Sequence, residues 1–93
     1  MHVRVTRGSS DPAKADRIRA IQDDIVAAMK RLPGFVGYQG GLDPTTGNLV
    51  AISTWESDEA ARFGRAELGE VFQRVQELAQ LEPAEVYELV TSS

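Results

Sequence analysis

The segment from Leu32 to Ser57, LPGFVGYQGGLDPTTGNLVAISTWES, constrains the fold more than any other part of the chain. Pro33 and Gly34 stop a helix. Two runs, Phe35–Leu42 and Leu49–Glu56, flank a turn carrying Asp43-Pro44 and Gly47-Asn48, which are hairpin-loop residues. Ser57 then offers an N-cap, and Asp58 and Glu59 place negative charge in the first turn of a following helix. The block ends one helix, builds a β-hairpin and starts a second helix.

The flanking sequence completes the order. Val3–Arg7 reads as a short strand and Gly8-Ser9-Ser10 as a loop. Asp11 suits an N-cap and Pro12 the first helical position. Ile18, Ile21, Ile25, Ala28, Met29 and Leu32 then recur at helical spacing, while Arg17, Arg19, Asp23, Asp24 and Lys30 fall largely on the other side. That pattern predicts an amphipathic helix of about five turns. After the hairpin, Asp58–Arg65 reads as helix, with Asp58 and Arg62 at a favourable i,i+4 spacing. Gly64 and Gly69 bend or break it. Helix resumes on a stripe of Leu68, Val71, Phe72, Val75, Leu78 and Ala79, with Glu70 and Arg74 paired, and Pro83 closes it. Val86–Thr91 is the last strand. The order β-α-β-β-α-β predicts an α+β fold of the ferredoxin-like, split βαβ type. One domain over residues 1–93 would hold a four-stranded antiparallel sheet with helices on one face.

Composition narrows the function classes. The chain has no cysteine, which excludes disulfides and thiolate chemistry and fits a reducing cytoplasm. No run is long enough to span a bilayer, and Met1–Arg4 reads as the start of a strand rather than a leader. Residues 1–42 carry seven basic and four acidic side chains, residues 43–93 three and ten. The acidic second half would repel phosphate backbones, and the first-half positives are interleaved with Asp16, Asp23 and Asp24. Neither nucleic acid nor a membrane is an expected partner.

The strands are apolar on two sides. Val50 and Ile52 oppose Leu49, Ala51 and Trp55; Val36, Tyr38 and Leu42 oppose Phe35; Val86 and Val90 oppose Tyr87 and Leu89. Helices on one side leave the other to be covered. A second copy of the sheet, related by a two-fold axis, predicts a homodimer.

Several chemistries are struck out by residue type. His2 is the sole histidine, too few for a zinc site or a non-haem iron triad and poorly placed at the terminus for a Ser-His-Asp triad. Gly37-Tyr-Gln-Gly40-Gly41 lies inside a strand and is not a phosphate loop; its glycines mark a bulge or room for a ligand or backbone. What remains is aromatic and cationic. Trp55 ends the third strand, Tyr38 sits in its neighbour, and Phe63 and Phe72 lie on the helices above. His2, Arg4 and Thr6 share one face of the first strand, either an edge in water or the wall of a pocket. Trp55, Phe63 and Phe72 equally suit core packing. Such a set fits a small aromatic ligand in a mostly apolar slot.

Pro33-Gly34-Phe35 followed by Thr54-Trp55-Glu56-Ser57 resembles the hairpin of the antibiotic biosynthesis monooxygenase family, and the likeness extends from the first strand to the last. The resemblance implies a dimeric α+β barrel. It further implies an enzyme that oxidises a quinol or polyphenol with dioxygen without any cofactor or metal. In that reading Trp55 lines the slot, Arg4 stabilises an anion, and His2, Tyr38, Phe63 and Phe72 complete the substrate pocket. The pattern also departs from the family: Ala51 and Ala61 stand where relatives carry Asn and Tyr, and Gly64 near the place of a His. Haem-degrading relatives need an iron-ligating His, and here its place falls near Arg74. A non-catalytic binding or dimerisation module on the same fold is the alternative. An isomerase or decarboxylase, which would need an acid/base residue in the cavity, is a third.

Overall fold

The computed structural model describes residues 1–93. β1 (His2–Ser10) leads through a 3-10 turn at Pro12–Lys14 into α1 (Ala15–Lys30). The Asp11 carboxylate caps that turn, accepting the Ala13 N–H at 2.9 Å. The hairpin of β2 (Phe35–Leu42) and β3 (Asn48–Trp55) follows. Then come α2 (Asp58–Ala61), a 3-10 turn at Arg65–Leu68, α3 (Glu70–Leu78), β4 (Ala79–Leu81) and β5 (Glu85–Glu88). All pairings are antiparallel, in the order β2-β3-β1-β4, and β5 pairs with the same edge of β1 as β4 does. The α+β architecture with helices over one sheet face is the one the sequence predicts.

Four details differ from the sequence-based expectation. The sheet has five strands, because the last one is split. Pro83 has no N–H for a ladder and lies between β4 and β5. It therefore interrupts a strand rather than closing a helix. Ala79, expected on the helix, pairs with Ser10 in β4. Gly8-Ser9-Ser10 is strand and not loop, since Leu81, Gln80 and Ala79 pair with it. Arg74 bonds Asp24 on α1 at 2.9 Å instead of Glu70. The expected Asp58–Arg62 pair is present at 2.9 Å.

A further difference decides which side chains meet. Phe35 pairs with Trp55, but Gly37 pairs with Thr54, so Val36 is an extra residue, a β-bulge. Strict alternation puts Phe35 and Tyr38 on opposite faces. The bulge resets the register and brings both to the helix side, with Tyr38 opposite Ser53. That side also carries His2, Arg4 and Thr6 of β1 and Leu49, Ala51, Ser53 and Trp55 of β3. Val3, Val5, Val50, Ile52 and Tyr87 share the other side.

The core lies between the sheet and the helices. Ile21, Ile25, Ala28 and Met29 of α1 meet Trp55, Ala61, Leu68 and Val71. The hairpin turn is tied to the end of β1: the Ser10 N–H donates to the Gly47 carbonyl at 2.8 Å. Gly47 is buried at φ +83°, and a Cβ there would stand 1.8 Å from the Ser10 oxygen. Only glycine fits. No helix is long and apolar enough to cross a membrane.

Candidate active-site cavity

A cavity of about 370 Å³ opens between the helix-facing side of the sheet and helices α1 and α3. That volume is within the range of small-molecule sites, roughly 300–1,000 Å³. Its lining is mostly apolar, with Ile21, Ile25, Val71 and Phe72 from the helices and Leu49 and Ala51 from the sheet.

Arg4 is the principal polar group. β1 is interior to the sheet, with β3 on one edge and β4 and β5 on the other, so the water-facing edge considered for this strand does not exist. Arg4 is only 9% exposed. Its Nη1 donates to the carbonyls of Ala61 at 3.0 Å and Phe63 at 2.7 Å. Its guanidinium carbon stands 4.0 Å from the Phe63 ring centroid, a cation–π contact. Burial, and then the nearby charge of Arg65, lower its pKa from the usual arginine value. Arg4 therefore both fixes the chain after α2 and brings a buried positive charge to the cavity wall.

Tyr38 forms a second polar station. Its hydroxyl donates to Gln22 Oε1 at 2.8 Å, and Gln22 Nε2 donates to the Ile18 carbonyl at 2.9 Å. Burial pushes the phenol pKa up, so Tyr38 stays neutral and keeps its proton. Gly40 makes the pair possible: a Cβ there would lie 2.6 Å from Gln22 Oε1 and 3.0 Å from the Tyr38 hydroxyl.

Trp55 is fully buried and stands behind the cavity rather than in its lining. Its indole N–H donates to Ser53 Oγ at 2.8 Å. Phe35 meets it edge-on at 5.4 Å between centroids and Phe63 at 4.9 Å. Trp55 thus reaches the cavity through Ser53 and Phe63, both of which line it. His2 is also outside the lining, being placed at the far end of β1 opposite Glu88 and Trp55. Its Nδ1 is buried without a hydrogen-bond partner. Of the six candidates, Arg4, Tyr38, Phe63 and Phe72 line one cavity; Trp55 and His2 do not.

Ser53, Gln22 and Arg65 line the cavity without having been singled out in the sequence, and Gly40 and Gly41 line it as the glycines read there as room for a ligand. Gln22 carried a signal, a polar residue inside the apolar stripe of Ile18, Ile21 and Ile25. Ser53 carried one too, two residues before Trp55 on the same strand face. Arg65 had none, since its position depends on the break after α2. Ala51 lines the cavity, whereas Ala61 is packed in the core with no exposure, and a Cβ on Gly64 would meet nothing within 4 Å. No group of three or more His, Cys, Asp or Glu side chains is assembled as a metal site.

No family model and no curated protein matches the sequence. Solved structures do match. SnoaB, a cofactor-independent oxygenase from Streptomyces nogalater, is similar over 98% of this chain and 94% of its own, with 18% identity and a TM-score of 0.72. HapK from Hahella chejuensis is similar over 100% and 96%, with 16% identity and a TM-score of 0.78. A Deinococcus radiodurans protein assigned to the antibiotic biosynthesis monooxygenases is similar over 100% and 96%, with 16% identity and a TM-score of 0.73. The structural neighbours of this chain are antibiotic biosynthesis monooxygenases, and it has their fold.

Proposed function

We propose that the protein is a monooxygenase that oxidises a quinol or polyphenolic aromatic with dioxygen, in the cavity beneath α1 and α3. The observation that carries this reading is the Arg4 guanidinium, buried in the wall of an otherwise apolar slot large enough for a flat aromatic. A phenol bound against it loses its proton more readily, because a cation in a water-poor site favours the anion. The anion is electron-rich enough to react with dioxygen directly. In a phenol one oxygen atom enters the ring as the second quinone carbonyl, and in a quinol, which already carries both oxygens, it enters as the hydroxyl of a hydroxyquinone. In either case the other oxygen leaves as water with two hydrogens of the substrate. Arg4 holds the negative charge as it moves from phenolate to peroxide, and the apolar walls limit side reactions with water. The fold shared with an enzyme described as a cofactor-independent oxygenase supports the reading.

The protein acts as a homodimer in this proposal. Val3, Val5, Val50 and Ile52 form an apolar strip on the helix-free side of the sheet, and a second copy would bury it. Sedimentation at micromolar concentration tests this, with Ile52→Lys expected to give monomers. A cytoplasmic setting suits a chain without cysteine.

The activity is tested by oxygen uptake with naphthalenediols, anthrones and simple quinols. Uptake matched by quinone formation is expected, and none above buffer across the panel would overturn the reading. A non-catalytic binding module is the second reading, favoured by one observation: no carboxylate or imidazole lines the cavity to serve as general base. It expects ligands to raise the melting temperature without turnover.

A further inference from the structure

Every ionised side chain lining the cavity is an arginine. Arg4, Arg19 and Arg65 line it, and none of the chain's 14 Asp and Glu residues does. This positive lining belongs to a protein whose net charge is −4. The three arginines are not equivalent. Arg19 is neutralised by Asp16 at 2.9 Å. Arg4 and Arg65 belong to none of the four ion pairs of the chain.

Both are held by neutral acceptors instead. Arg4 uses Nη1 on the carbonyls of Ala61 and Phe63, and Arg65 uses Nη2 on the Glu82 carbonyl at 2.7 Å. Each guanidinium also faces a phenylalanine ring, Phe63 at 4.0 Å and Phe72 at 5.7 Å. Carbonyls and rings fix a guanidinium in place without cancelling its charge. The remaining N–H groups of Arg4 and Arg65 have no partner in the chain. They are not sealed in protein, because His2 Nδ1 is the sole buried side-chain polar atom left unpaired. Two guanidiniums lining one cavity, both preorganised and both uncompensated, make a site for an anion.

We propose that the phenolic substrate of this cavity is also an aromatic acid, whose ring lies in the apolar slot and whose carboxylate bridges Arg65 and Arg4, the Arg4 guanidinium being shared between it and the phenolate oxygen. This rests on the reading of the cavity as a small-aromatic site and names the class of molecule it selects. A carboxylate is the anion of choice for two physical reasons. It is already ionised at neutral pH, so binding spends nothing on deprotonation. It also has two oxygens, one for each guanidinium, where a phenolate has one. Arg65 is then a specificity residue, and Arg4 is shared between anion binding and the backbone after α2.

Calorimetric titration with a shape-matched pair, 2-naphthoic acid and 2-naphthamide, tests the proposal without turnover. The wild-type protein should bind the acid at least tenfold tighter at pH 7 and low salt, with the preference shrinking as salt is added. Arg65→Gln should bring the two compounds within about twofold by weakening the acid alone, and Arg65→Lys should keep part of the preference. Circular dichroism and melting establish that both variants are folded. Equal binding of acid and amide by the wild type, or an undiminished preference in Arg65→Gln, would overturn this inference while leaving the aromatic cavity intact. If neither compound binds, the cavity reading fails along with it.

Discussion

The indole N–H of Trp55 donates to Ser53 Oγ at 2.8 Å, and both side chains are buried. The two lie on the same face of β3, two residues apart, and only Ser53 reaches the cavity. Ser53→Ala leaves a buried donor without a partner and should cost about 1–3 kcal/mol. Trp55→Phe loses the bond and much packing against Phe35 and Phe63, and should cost about 2–4 kcal/mol. The double variant should cost less than the two together, because no unpaired donor remains. Urea unfolding of the three variants measures this. Additive losses would show that the bond carries no coupling energy.

Arg4 has a structural duty that can be separated from charge. Its two carbonyl acceptors hold the chain after α2. Arg4→Met keeps the stem and removes every donor, and should destabilise by about 2–3 kcal/mol. Arg4→Lys should recover part of that stability. Hydrogen exchange should locate the loosening around residues 61–65. A stability equal to wild type in Arg4→Met would contradict the anchoring role.

The pH dependence follows from the tyrosines. Burial raises the Tyr38 pKa, and the hydrogen bond to Glu85 raises that of Tyr87. A raised phenol pKa favours the neutral form in the folded state. The stability linked to Tyr38 is therefore fully present below the unfolded value of about 10. It is lost as pH rises through the higher folded value. Absorbance at tyrosinate wavelengths should show no ordinary phenol titration in the native protein. In Tyr87→Phe the remaining step should belong to Tyr38 and stay above that of a free phenol. A normal midpoint in that variant would mean that the ring is not buried as described.

Gly47→Ala should be among the most damaging single-methyl additions in the chain. It forces a side chain into positive φ and onto the Ser10 carbonyl. The expected loss is about 2 kcal/mol or more. Gly40→Ala should be milder, at about 1 kcal/mol, since Gln22 is flexible and can swing away. It should nevertheless break the Tyr38–Gln22 bond, while Tyr38, still buried, keeps its raised titration. Thermal unfolding ranks the two variants, and a larger loss in Gly40→Ala would reverse the argument.

Local chemistry made much of the architecture legible. Pro33-Gly34 and Ser57 mark boundaries because proline, glycine and capping hydroxyls act on their own backbone. The stripe of Ile18, Ile21, Ile25 and Met29 makes an amphipathic helix wherever it is placed. What the residues alone determined was the order of the two main helices and the hairpin strands between them, and the presence of arginine and aromatic side chains with no acid or histidine cluster among them. Tertiary structure decided the remainder. Val36 became a bulge because β2 had to pair with β3 through Trp55, and this turned Tyr38 toward the helices. Gly8–Ser10 became strand because β4, remote in sequence, supplied its partners. Trp55 withdrew behind Ser53 and Phe63 under the residues of α1, and Arg65 joined Arg4 at the cavity across more than 50 residues of chain. Register and burial are sums over distant contacts, and no local window of sequence contains them.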